Sequence, residues 1–282
     1  MLRYRLARPW LTGLRAWRRI GGARPPALRI LLLHDVPEHH FDALDRLLGT
    51  VKRQGGLVTP GEAEAWLAGD GGGAQEGGSP CLLTFDDGFA SNHAAAEAVL
   101  SRHGVKALFF VCPGLIELDG EAQRQAIAAH IFDGRLGAAD LPGAARLMSW
   151  REIGALKAMG HAIGAHSMTH RRLSRLPGDE LCREVRGCNE VLAARLGEPT
   201  PWFAYPFGSI DSISAAALAV IATEYRFCRS GIRGPNIETT DRRALRADQI
   251  DLAAPGDYLS LVVEGGLDWR YAAPRRRLDT LI

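Results

Sequence analysis

Two adjacent carboxylates, Asp86 and Asp87, close an apolar segment and precede a glycine in Thr84-Phe85-Asp86-Asp87-Gly88. Paired acids at a buried strand end are costly to desolvate and repel each other. They are tolerated when one binds a cation and the other serves as a base. The alternative is a helix cap, with either aspartate accepting backbone N–H groups of a following helix. Two imidazoles stand four residues apart in His166-Ser167-Met168-Thr169-His170, again after an apolar run, 162–165. That spacing lets both rings reach one ion across a strand end and the turn after it, although a pair of surface histidines has the same pattern.

The two clusters strengthen each other. Two neutral imidazoles plus the Asp87 carboxylate make a ligand set that leaves coordination positions open for water and substrate, which is the mark of a catalytic metal. Zinc is the first choice, because it lowers the pKa of bound water to about 7 and polarises an amide carbonyl. The same set suits iron, cobalt or nickel. Asp86, beside the ligand and not needed for coordination, is the natural base. Tyr205-Pro206-Phe207-Gly208 is either an ordinary Pro-Gly turn or a loop whose backbone N–H stabilises an oxyanion, since proline fixes the turn and glycine admits a substrate. His34-Asp35 ends a further apolar run. Either Asp35 orients the His34 ring toward the same site, or the two simply end the strand.

Groups so far apart in sequence meet only if the elements carrying them converge. Strand patterns over 28–33, 81–85, 107–111, 161–165, 202–205 and 227–228, with a weaker one over 261–263, alternate with helical patterns over 41–54, 91–103, 150–159, 178–196 and 212–224. This alternation is the signature of a parallel α/β sheet wrapped by helices, in which the carboxyl ends of the strands face one site. The polar clusters fall just after strands, as that architecture requires. Residues 69–80 have the composition of a flexible glycine-rich loop, and 117–148, helical around 121–132, form an expected insertion over one face. No internal repeat is visible.

With 282 residues, 46% hydrophobic and 23% charged, the chain has the composition of a folded globular protein. Its near-neutral net charge of +2 offers the body no continuous basic face, which argues against nucleic acid. The N-terminus is different, because Arg3, Arg5, Arg8, Arg15, Arg18, Arg19 and Arg24 all precede the first acid, Asp35. Arg15, Arg18 and Arg19 interrupt every candidate for a signal-peptide core, and the apolar runs fall short of the ~20 residues that span a bilayer. These arginines interleave with Trp10, Leu11, Leu14, Trp17 and Ile20. The pattern suits an interfacial amphipathic helix in peripheral membrane contact, or an arm packed on the domain. Cys81, Cys112, Cys182, Cys188 and Cys228 form no CxxC pairs, which points to reduced, buried thiols and a cytoplasmic setting.

Over residues 28–268 the sequence resembles the polysaccharide deacetylases with a NodB-type domain, family 4 of the carbohydrate esterases. TFDDG and HSMTH carry the likeness, with LLLHDV, GHAIGAHSMTH and FAYPFG in family order. The resemblance implies a distorted, incomplete (β/α) barrel and a metal-dependent hydrolase removing an N-acyl group, expected to be acetyl, from an amino sugar of a polysaccharide or glycan precursor. It implies Asp86 as catalytic base, Asp87, His166 and His170 as metal ligands, and Tyr205, Pro206 and Phe207 along the substrate groove, the Phe207 N–H stabilising the oxyanion. Two departures stand out. Ala204 occupies a position where many members carry an arginine that pairs with the catalytic aspartate, and no histidine follows His170 to act as general acid. Arg246 is the expected substitute for the first, unless it is a surface arginine, and His34 for the second. The departures also admit a member that binds saccharide without turning it over.

Overall fold

The computed structural model describes residues 2–21, 27–69 and 79–282; most of the glycine-rich stretch expected to be a loop, and Arg24, lie outside the described residues. The strands are β1 (Arg29–Leu33), β2 (Leu57–Val58), β3 (Cys81–Phe85), β4 (Leu108–Val111), β5 (Ala162–Ala165), β6 (Trp202–Ala204), β7 (Phe227–Arg229) and β8 (Asp248–Gln249). All pair in parallel, in the order β7-β6-β5-β4-β3-β1-β8, with β2 alongside β3. Segments as apolar as Arg-Ile-Leu-Leu-Leu form such strands because both faces of a parallel sheet are covered.

Alternation along each strand sorts the side chains. Leu31, Leu33, Leu83, Phe85, Phe109 and Val111 pack outward against the helices. Ile30, Leu32, Leu82, Leu108, Phe110, Ala204 and Phe227 fill the concave interior. One short segment joins the two sheet edges: Leu245 bridges to Arg229 at the end of β7, and three residues later β8 pairs with Leu31 and Leu32 of β1. The edges of the curled sheet meet through brief contacts rather than a full strand pairing, so the fold is a distorted, incomplete (β/α) barrel.

The helices Phe41–Gln54 and Trp150–Ala158 follow the expected patterns, the second starting in a capping box between Ser149 and Glu152. Residues 261–263 are not a strand: they end the helix Gly256–Val263, whose buried face carries Leu259, Leu261, Val262 and Val263. A run of three apolar residues fits either period, and its neighbours decided it. The insertion holds the helical segments Gly120–Ala126 and Ile127–Ile131, and the chain ends in a helix, Ala272–Asp279. Among the cysteines, Cys182 is half-buried and the other four are buried; all are free.

Candidate metal centre

The alternation that fills the interior also aims the polar groups. On β3, Leu82 and Thr84 face inward, so Asp86, next in step, faces the mouth of the barrel. Asp87 turns the other way by adopting a left-handed conformation, φ 71°, before Gly88, φ 78°. Ser167, His170 and Phe207 also have positive φ, so four of the five non-glycine residues in this region, among the described residues, stand at one site. Each costs about 1–3 kcal/mol, and such strain persists where the surrounding packing holds it.

His166, His170, Asp86 and Asp87 are all nearly inaccessible, with exposures of 1–4%. His166 Nδ1 lies 2.7 Å from the Ala204 carbonyl, and His170 Nδ1 lies 2.9 Å from that of His130 in the insertion. A carbonyl only accepts, so each Nδ1 carries the proton and donates, and each Nε2 presents a lone pair. Both lone pairs face one carboxylate oxygen, Asp87 Oδ1, at 3.4 and 3.3 Å. That oxygen is buried without a hydrogen-bond partner among the described residues. Burial opposes the charge on Asp87, while positive charge facing it, on the His166 and His170 rings or between them, holds its carboxyl well below the usual carboxylate range.

Three mutually facing acceptors in a dry pocket call for positive charge between them. Their ligand atoms lie within 4.8 Å of one another. Tetrahedral coordination at about 2.0–2.1 Å sets neighbouring ligands about 3.3–3.4 Å apart, which matches the two His–Asp distances. The residues therefore fit a single divalent cation.

Asp86 is held separately. Its Oδ1 accepts from Arg229 Nη2, and its Oδ2 lies 3.8 Å from His166 Nε2. Arg229, 1% exposed, also donates to the Ser230 carbonyl and lies over the Phe110 ring. Arg246 was the expected partner of Asp86 and is not: it pairs with Asp279 at 2.5 Å. The reason is alternation, since Leu245 and Ala247 face the interior and Arg246 between them faces out. Arg229 has the inward parity of Phe227, two residues earlier on β7, and this was the available signal. The strand pattern legible in sequence, 227–228, ends one residue short of Arg229.

The loop after β6 also departs from expectation in part. Ala204 faces inward, so Tyr205 turns into the helix layer, where it is 1% exposed and donates to the Gly208 carbonyl; its side chain does not line a groove. Pro206 is buried. Phe207 is half-buried, edge-on to His170 at 4.7 Å and capped by the Arg172 guanidinium 4.0 Å from its ring. Its N–H has no acceptor among the described residues. A Cβ on Gly208 would stand 2.5 Å from Gly231 N, so only glycine lets this loop close on the chain after β7.

His34 continues the inward step of Ile30 and Leu32, and the Asp86 N–H donates to the Leu33 carbonyl, which sets His34 and Asp86 side by side at the barrel mouth. His34 is half-buried and near enough to contribute to the low pKa of Asp87. Asp35 does not orient its ring; exposed, it accepts from Ser91 Oγ.

The sequence profile of the polysaccharide deacetylases matches residues 74–225. No curated protein matches the sequence. Among solved structures, the chain is similar to the Streptococcus pyogenes deacetylase PplD in complex with acetate, with TM-score 0.65 and 19% identity over 86% of this chain and 100% of that one. It is also similar to IcaB from Ammonifex degensii, with TM-score 0.62 and 21% identity over 86% and 98%. A de-N-acetylase from Aggregatibacter actinomycetemcomitans gives TM-score 0.64 and 13% identity over 82% and 98%. At these identities the likeness is one of fold.

Proposed function

The chain belongs to the polysaccharide deacetylase family, and we propose that it is a metal-dependent hydrolase removing an N-acyl group, acetyl in the first instance, from an amino sugar of a polysaccharide or glycan precursor. The observation that carries this reading is the convergence of Asp87, His166 and His170 as three lone-pair donors beside a separately anchored carboxylate, Asp86. When bound, a divalent cation, zinc first and cobalt, nickel or iron by the same ligand chemistry, supplies Lewis-acid polarisation of an amide carbonyl and acidifies water.

The chain's own groups do the rest. Arg229 holds the Asp86 carboxylate in place, so that Asp86 takes the proton of the attacking water. As the carbonyl carbon becomes tetrahedral, the free Phe207 N–H donates to the developing oxyanion, where a preorganised donor is worth about 3–4 kcal/mol. When the C–N bond breaks, the acyl group leaves as carboxylate and the sugar nitrogen gains a proton from His34, the imidazole at the mouth. Phe207 and Arg172 wall the entrance beside His170. Saccharide binding without turnover had rested partly on Ala204, and Arg229 supplies the cation missing there.

The metal-loaded protein should release acetate from N-acetylhexosamine oligosaccharides. Asp86→Asn should slow release by roughly 100-fold or more while elemental analysis finds the metal retained. Release by that variant at the wild-type rate would remove Asp86 from the mechanism, and tight glycan binding with no release by the wild type would favour the binding-only reading.

A further inference from the structure

We propose that the face formed by the helix Ala7–Ile20 and Trp269 docks on a bilayer surface bearing anionic headgroups, a role independent of the chemistry above. The helix has two apolar sides. Ala7 and Leu11 are buried against Leu261, with Leu14, Tyr258 and Leu267 around them. Trp10 Nε1 donates to the Gly266 carbonyl, and Arg15 and Arg18 pair with Glu264. The sequence pattern suggested either an arm packed on the domain or an interfacial helix, and these contacts fix the helix as a packed element whose outward side is defined.

That outward side carries Leu6, Trp10, Trp17 and Ile20, spaced by four, seven and three residues and so on one stripe. They are 55, 50, 59 and 88% exposed, and Trp269, 63% exposed, stacks on Trp10 with ring centroids 6.3 Å apart. Five of the eight large hydrophobic residues exposed among the described ones thus sit on this patch. A cluster of this kind marks an interaction surface.

Charge selects the occupant. Residues 2–21 contain no acid. Arg5, Arg8 and Arg19 are exposed without an ion pair among the described residues, and Arg270 lies over the Trp269 ring. A second copy of the chain would set these arginines against their own kind. Anionic headgroups neutralise them while tryptophan rings settle at the headgroup level and Leu6 and Ile20 reach the acyl boundary.

The test uses the full chain with phosphatidylcholine vesicles, with and without phosphatidylglycerol. The protein should sediment with the anionic vesicles only, with a blue shift of tryptophan fluorescence. Trp17→Ser with Ile20→Ser should lower partitioning about tenfold or more. Arg8→Glu with Arg19→Glu should lower it by at least about fivefold per site. Melting temperature and activity on soluble substrate should be unchanged in both, because these side chains are exposed. Equal sedimentation of variants and wild type would overturn the proposal, and so would concentration-dependent dimerisation through Trp17 without vesicle binding.

Discussion

At the scale of single residues, Asp86 and Arg229 are a buried pair whose two members have different work. In the proposed reaction Asp86 serves the substrate, while Arg229, 1% exposed and lying over the Phe110 ring, would act by holding the carboxylate. Removing one partner of a buried pair strands the other's charge at about 3–5 kcal/mol. Arg229→Ala should therefore cost stability on that order in chemical denaturation, and adding Asp86→Asn should return most of it while activity stays lost. Additive costs in that double-mutant cycle would mean that the pair is not coupled. The carboxylates and imidazoles that the structure gathers were legible in the sequence because each ends an apolar run and is spaced for one ion. Arg229 was not, because β7 is three residues long and no motif marks it. Arg246 looked better placed in sequence, yet the parity of Leu245 and Ala247 turns it away.

At the scale of elements, the strands and helices with strong periodicity were legible, and the contacts that close the barrel were not. β8 is the dipeptide Asp248-Gln249, without a β-branched or aromatic residue, and it pairs because Leu31 and Leu32 lie beside it. Its Asp248 is fully buried and reaches Arg29 at 2.6 Å, with Asp268 on the same guanidinium. Burial pushes the Asp248 carboxyl up to about 6 against the pull of Arg29. A second buried group ties the approaches to two strands together: the His161 ring, just before β5, accepts the Ala107 N–H just before β4 at 3.0 Å. Burial, with Lys106 nearby, lowers its pKa from 6.5 to about 4. A ring kept neutral in the fold and free to protonate when unfolded removes stability as pH falls. The contribution is intact above 6.5 and is lost progressively between 6.5 and 4, by at most about 3 kcal/mol. Relative to the wild type, His161→Gln should gain stability as pH falls from 6.5 to 4, with the raised Asp248 carboxyl contributing equally to both, measured by denaturation across that range. A variant slope equal to the wild type's would show that His161 does not drive it.

At the scale of the molecule, the proposed cation would tie together parts of the chain that lie far apart in sequence. Asp87 follows β3, His166 follows β5, and His170 is fixed through its Nδ1–H to the His130 carbonyl in the insertion. The four positive-φ residues are strained in this same region. Without a cation the buried Asp87 Oδ1 faces two lone pairs, so the folded state carries an unmet electrostatic demand that the unfolded chain lacks. A ligand that binds only the folded state stabilises it by RT ln(1 + [L]/Kd), about 2.7 kcal/mol at a hundredfold excess over Kd. For a chain of this size that corresponds to a rise in Tm of about 4–5 °C. Saturating zinc should produce that rise in the wild type, a chelator should reverse it, and His170→Ala should show neither, all by calorimetry without substrate. The readout separates metal binding from turnover. A wild-type Tm indifferent to every divalent cation, or a shift of equal size in His170→Ala, would mean that the cation does not sit among these three side chains.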